Sequence, residues 1–159
     1  MRPGEVWIRE LEPRDRVVLA YVFRHLGEAS RYQRYLSIKR TLHPSELDRL
    51  TGVDHWHSDA IVAWSPVPRA PIGIARYVRT DEFDVAEIAV EVVDDWQRRR
   101  VGEALLVALR ERAVRAGVRR FTASLLSSNR GALALARRLG PCTITGSNHD
   151  VMEIEVRWA

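Results

Sequence analysis

Between residues 86 and 106 the hydrophobic pattern changes character twice. Residues 86–93 are a nearly unbroken apolar run rich in β-branched side chains, which predicts a strand covered on both faces. Asp94, Asp95 and Trp96 end that run, residues 97–102 form a polar turn with Arg98, Arg99 and Arg100, and Leu105, Leu106 and Leu109 then recur at helical spacing. Two polar residues interrupt the strand. Glu87 and Glu91 share a parity with Ala89 and Val93, so both carboxylates leave the same face of the pleat. A carboxylate on a covered strand is costly unless it has a partner or a task.

The remaining pattern reads as a scaffold around this strand, turn and helix. Residues 6–10 predict a first strand, and Glu12 to Asp15 open a helix whose face is Val18, Leu19, Val22, Phe23 and Leu26, ended by Gly27. Residues 28–36 predict a second short helix or turn whose Tyr32 and Tyr35 read first as ordinary packing aromatics and otherwise as rings available to face a groove. A third helix is predicted within residues 41–50, capped at Ser45. A strand over 60–64 follows, and a segment with Pro66, Pro68 and Pro71 turns into a hairpin of 72–79 with 85–93. A helix over 101–116 stops at Gly117 and leads to a strand over 119–125, a crossover that makes those two strands parallel. Residues 129–139 predict a last helix, and 143–145 with 152–158 complete the sheet. The sum is one α/β (α+β) domain over residues 1–159, a mixed sheet with helices on both faces.

The first turn of the 101–116 helix suggests the chemistry. Free N–H groups at a helix start, the positive end of the helix dipole and three adjacent arginines suit a phosphate group. Composition changes this picture little. A net charge of +4 with acids interspersed among the arginines gives no reason to expect nucleic acid, and no apolar run is long enough to span a bilayer. The lone Cys142 cannot form an internal bridge, and residues 1–4 do not read as a signal peptide, so a cytoplasmic location is the expectation. Lys39 is the single lysine, which a GC-rich genome explains. Asp54, His55 and His57 alternate in a loop without further ligands nearby, so no metal site is expected there, and the loop is expected at the mouth of a groove instead.

The strand, the 92–96 segment ending in an aromatic residue and the Gln97-Arg98-Arg99-Arg100-Val101-Gly102 turn together resemble the acetyl-CoA cradle of the GNAT superfamily of N-acetyltransferases. The family turn reads Q/R-x-x-G-x-G/A, so Arg100 stands where the first glycine is expected. A shifted register, Arg99-x-x-Gly102-x-Ala104, fits the bare pattern but displaces the leucines. Asn129-Arg130-Gly131-Ala132, followed by Leu135 and Leu139-Gly140, is similar to the last motif of the superfamily. Looser similarity at residues 8–15, 30–32, 42–47, 53–54 and 71–79 resembles the catalytic domain of Pat-type bacterial protein lysine acetyltransferases.

The resemblance implies a mostly antiparallel sheet of six to seven strands with strands four and five splayed apart. It implies acetyl-CoA as co-substrate, with no metal, its pantetheine beside residues 88–93 and bonded to main chain near Val92 and Val93. The diphosphate is then expected on the turn and helix start formed by Gln97, Arg98, Arg99, Arg100, Val101, Gly102, Glu103 and Ala104, with Asn129 touching the coenzyme arm. Glu87, in an Ala-Glu-Ile context, matches the base-bearing position; apolar neighbours would raise its pKa. The competing reading pairs Glu87 with an arginine such as Arg76, and Glu91 is the second candidate base. The tyrosine that protonates the leaving thiolate in many members is replaced by Ala136. Cys142 has no adjacent histidine to support a ping-pong route. The implied function is transfer of acetyl to a lysine on a protein such as an acyl-CoA synthetase, by a monomer or homodimer. A small amine or a protein N-terminus is the alternative acceptor, and a non-catalytic coenzyme-binding regulator is the alternative class.

Overall fold

The computed structural model describes residues 6–66 and 68–158. In chain order the elements are β1 (Trp7–Glu10), α1 (Arg16–Arg24), α2 (Glu28–Tyr35), α3 (Pro44–Thr51), β2 (Ser58–Trp64), β3 (Pro71–Arg79), β4 (Val85–Val92), α4 (Val101–Arg115), β5 (Arg120–Leu126), α5 (Arg130–Leu139), β6 (Cys142–Ser147) and β7 (Val151–Arg157). The strands form one seven-stranded sheet in the order β1-β2-β3-β4-β5-β7-β6. Its neighbours are antiparallel except β4 and β5, which the α4 crossover makes parallel.

The register assigns the two faces of the sheet. Gly73 lies opposite Val92, and a Cβ on Gly73 would meet Leu105 at 2.9 Å, so this parity faces α4. The other parity of β3 and β4, which includes Ile74, Arg76, Glu87 and Glu91, faces the side of α1 to α3. Leu19 and Val22 of α1 and Leu105 and Leu109 of α4 are buried, so the sheet is covered by apolar stripes on both sides. Helix α2 is different: none of its residues is buried, and it lies over β4 as a polar helix.

Several local expectations are corrected. Helix α3 is capped by His43 rather than Ser45: the His43 ring accepts the Ser45 N–H at 3.2 Å, Glu46 accepts the His43 N–H at 3.2 Å, and Pro44 takes the first helical position. The 52–57 loop does not border the cleft described below. His55, at φ 59°, bonds Asp59 at 2.6 Å, and Arg112 of α4 bonds Asp59 at 2.6 Å and Glu10 at 2.7 Å. That network ties the loop to β2 and to α4, on the α4 face of the sheet. Among the described residues no cluster of His, Cys, Asp and Glu could hold a metal ion, and no helix is long and apolar enough to cross a membrane.

Candidate active site

The site begins where two strands part. Parallel pairing of β4 with β5 covers only Val85, Ala86 and Glu87 against Arg120, Phe121 and Thr122. Beyond Glu87, β4 runs on to Val92 and β5 to Leu126 without pairing to each other, while β3 and β7 continue to pair on their outer sides. The inner edges of both strands therefore present main-chain groups to a V-shaped cleft. Backbone groups in such a place need partners, and a ligand with amides of its own can supply them.

A cavity of about 360 Å³ occupies the cleft. Its walls include Glu87, Glu91, Val92, Gln97, Asn129 and Ala136, so both candidate bases and three of the predicted cofactor contacts meet in one place. The two carboxylates, which share a face as the parity required, differ sharply in surroundings. Glu87 is exposed at the apex of the splay, whereas Glu91 is only 8 % exposed, beneath α2. The apolar environment predicted around Glu87 is therefore not found; β5 ends its pairing there and opens the carboxylate to water. Nor does Arg76 pair with Glu87: it lies opposite Ala89, is buried, and donates to the Leu50 carbonyl at 3.1 Å.

At the rim of the cleft the turn adopts a conformation suited to anions. Arg98 and Arg100 have φ of 61° and 66°, the left-handed region where glycine is favoured, and Arg100 takes it at the position of the missing family glycine. Among the described residues the N–H groups of Arg98, Arg99, Arg100, Val101, Gly102 and Glu103 have no protein acceptor. The Ala104 N–H is already bonded to the Arg100 carbonyl at 3.1 Å, so it is withdrawn from the predicted set. These N–H groups, the α4 dipole and nearby guanidiniums can hold a diphosphate. Gly102 has a packing reason: a Cβ there would lie 3.2 Å from Leu135, so the glycine brings α5 against α4. Asn129 caps α5, accepting the Ala132 N–H at 3.1 Å, which leaves its amide N–H₂ to reach the cleft.

The turn is also wired to α2. Gln97 donates to Val92 O and to Ser30 Oγ, both at 3.0 Å, and Ser30 donates to Asp94 at 2.7 Å. A Cβ on Gly27 would meet Asp94 Oδ2 at 2.4 Å, so glycine is needed for this close approach. Ser30, Arg34 and Ser124 line the cavity too and were not anticipated; no local spacing marks them, since each arrives through contacts with distant segments. Tyr35 lines the cavity, with burial pushing its hydroxyl up to about 12 and Glu91 adding to the shift, whereas Tyr32 points outward and is exposed. Cys142, on β6, is not part of the lining, and burial raises its thiol pKa. That combination does not favour a cysteine nucleophile.

A splayed parallel pair followed by an anion-binding helix start defines an acyl-coenzyme A transferase architecture. Residues 28–140 match the model of the acetyltransferase (GNAT) family, and the chain belongs to that family of N-acyltransferases. Among solved structures it is similar to the GNAT domain of S. lividans PAT, with 25 % identity, a TM-score of 0.86, and coverage of 96 % of this chain and 90 % of that one. It is also similar to a mutant form of a cAMP-binding acyltransferase from Mycobacterium smegmatis, at 29 % identity and a TM-score of 0.64; the match covers 98 % of this chain and 46 % of that one. The fold is shared with yncA of Salmonella typhimurium, solved with its cofactor acetyl-CoA, at 20 % identity, a TM-score of 0.75, and coverage of 96 % and 94 %.

Proposed function

We propose that the protein is an acetyl-CoA-dependent protein lysine N-acetyltransferase that works by direct transfer, with Glu87 as general base. The observation that carries this reading is the end of β4–β5 pairing at Glu87 and Thr122, which leaves an open cleft with a carboxylate at its apex and an anion-binding turn at its rim. Acetyl-CoA fits that cleft by its chemistry: pantetheine amides beside the free edge of β4, diphosphate on the 98–103 N–H groups, and the thioester between the strands. The acceptor class rests on likeness to Pat-type domains and on the exposure of Glu87, which can meet a side chain presented on a large partner.

The reaction needs a neutral amine, because lysine is mostly ammonium at neutral pH. Glu87 takes a proton from the acceptor nitrogen, directly or through water, and solvent at the open apex carries it away. The nitrogen lone pair attacks the thioester carbonyl, the C–N bond forms, and the C–S bond breaks to release coenzyme A thiolate. The nitrogen's second proton passes through water to the thiolate, because Ala136 has no proton to give. Purified protein with acetyl-CoA and a lysine peptide should release free thiol, detected colorimetrically. Glu87→Gln should lower kcat about 10²-fold or more while coenzyme affinity stays within about twofold. Undiminished turnover in that variant removes Glu87 from the mechanism. Tight coenzyme binding without turnover on any amine points instead to a regulator.

A further inference from the structure

A second carboxylate in the cleft is not used by the mechanism above. Glu91 is buried and lines the cavity, and its Oε2 has no hydrogen-bond partner among the described residues. Two guanidiniums flank it without satisfying it. Arg34 of α2 approaches Oε2 at 3.6 Å, beyond hydrogen-bond reach, and Arg76 of β3 directs Nη1 to the Leu50 carbonyl while its buried Nη2 bonds nothing among the described residues. A buried carboxylate lacking donors carries a desolvation cost that one more N–H would relieve. The cavity is where that N–H can come from.

Resting on the acetyltransferase reading, we propose that Glu91 is the amine-docking residue: it accepts a hydrogen bond from the acceptor nitrogen, while Arg34 and Arg76 keep that nitrogen from settling there as a cation. The charged and titratable groups around this point are Arg34 and Tyr35 from α2, Glu46 and Arg49 from α3, Arg76 from β3, and Glu87 and Glu91 from β4. Over all of these groups the charges balance, three guanidiniums against three carboxylates, but the two cations beside the Glu91 carboxylate are Arg34 and Arg76. An ammonium would add a third cation, whereas a neutral amine donates one N–H to Glu91 and keeps its lone pair for the carbonyl carbon. Burial lowers the Arg76 pKa to about 10, and Arg34 adds to that shift while Glu91 opposes it. The two carboxylates then divide the work by their surroundings. Exposed Glu87 passes protons to solvent, and buried Glu91 positions the nucleophile. The acceptor that fits is an unbranched primary alkylamine, such as a lysine side chain, whose apolar stem passes Leu26, Tyr35 and Leu36.

The test measures steady-state kinetics on two acceptors, a one-lysine peptide and n-butylamine, with the pH dependence of kcat at saturating amine. Glu91→Gln should raise the amine KM about tenfold or more, with the dissociation constant of coenzyme A within about twofold. Removing negative charge should move the acid limb of kcat to lower pH, and Arg34→Gln, removing positive charge, should move it to higher pH, each on the order of half a unit. Opposite displacements are what a merely structural role would not produce. If Glu91→Gln fails to fold by circular dichroism, Arg34→Gln decides, since Arg34 lies on the unburied helix α2. Unchanged amine KM and acid limbs, or limbs moving in one direction in both variants, overturn the docking role while leaving the acetyltransferase reading intact. Absence of wild-type turnover on every amine overturns both.

Discussion

Arg100 concentrates in one residue the main departure of this chain from the motif it resembles. It holds φ at 66°, a conformation that costs an L-residue about 1–2 kcal/mol, at the N-cap of α4 and without a side-chain cap of its own. Arg98, two residues earlier, does the same at 61°. Strain of this kind persists where the surroundings over-determine the backbone, and here it sits in the turn whose N–H groups lack protein acceptors among the described residues. Arg100→Gly should relieve it. Glycine also loses more freedom on folding, by about 0.5–1 kcal/mol, so the net change in stability should lie between none and a gain of about 1.5 kcal/mol. Arg100→Val, with a branched Cβ in the same well, should lose about 1–2 kcal/mol. Urea denaturation of both variants checks the pair. Equal stabilities would mean that the left-handed turn is not held in solution.

At the scale of elements, the closing Leu139-Gly140 has a concrete cause. Gly140 has an extended backbone that any residue can adopt, but a Cβ there would lie 2.4 Å from the carbonyl oxygen of Arg157. The glycine lets the end of α5 press against the end of β7, which holds α5 at the correct height over the cleft. Gly131, in the first turn of the same helix, has room for a Cβ, which would meet only Asn129 Oδ1 at 3.9 Å, an ordinary contact. Gly140→Ala should therefore destabilise by about 2 kcal/mol or more, since backbone must move, whereas Gly131→Ala should gain about 0.5–1 kcal/mol from helix propensity. The contrast, read from melting temperatures, separates a packing glycine from a dispensable one. Such element positions were largely legible in the sequence, because periodicities of two and of 3.6 residues are local. The shared face of Glu87 and Glu91 followed from parity alone, and the register of β3 on β4 bears it out. Their different burial did not follow, since it depends on where β5 stops pairing and where α2 lies, and both are set by residues distant in sequence. The His43 cap escaped for a local reason: a ring nitrogen took the place that a hydroxyl or carboxylate more often fills.

Across the whole molecule, the sheet is two sub-sheets joined by a narrow seam. β1 to β4 form one and β5, β7 and β6 the other, and the strand ladder between them is confined to residues 85–87 and 120–122. Beside that ladder the junction holds main-chain bonds from Arg119 and Arg120 to the Asp84 carbonyl, the rings of Tyr77 and Phe121, the Arg120–Glu82 ion pair, and contact between α4 and α5, with Gly102 against Leu135. A ligand lying in the cleft would pair with the free edge of β4 and touch Asn129 at the start of α5, bridging the two halves. Its binding should then stabilise the molecule where intrinsic pairing is thinnest. At about a hundred-fold excess of coenzyme A over its dissociation constant, linkage predicts about 2.7 kcal/mol of added stability. For a chain of this size, that is a rise of roughly 5–10 °C in melting temperature. Amide hydrogen exchange should locate the effect: slower exchange in residues 88–92, 98–103 and 123–126, with β1 and β2 unchanged. Added salt should shrink the gain, because the diphosphate contacts are partly ionic. Stabilisation of that size with no protection along β4 and β5 would put the coenzyme outside the cleft and detach the function from the splay.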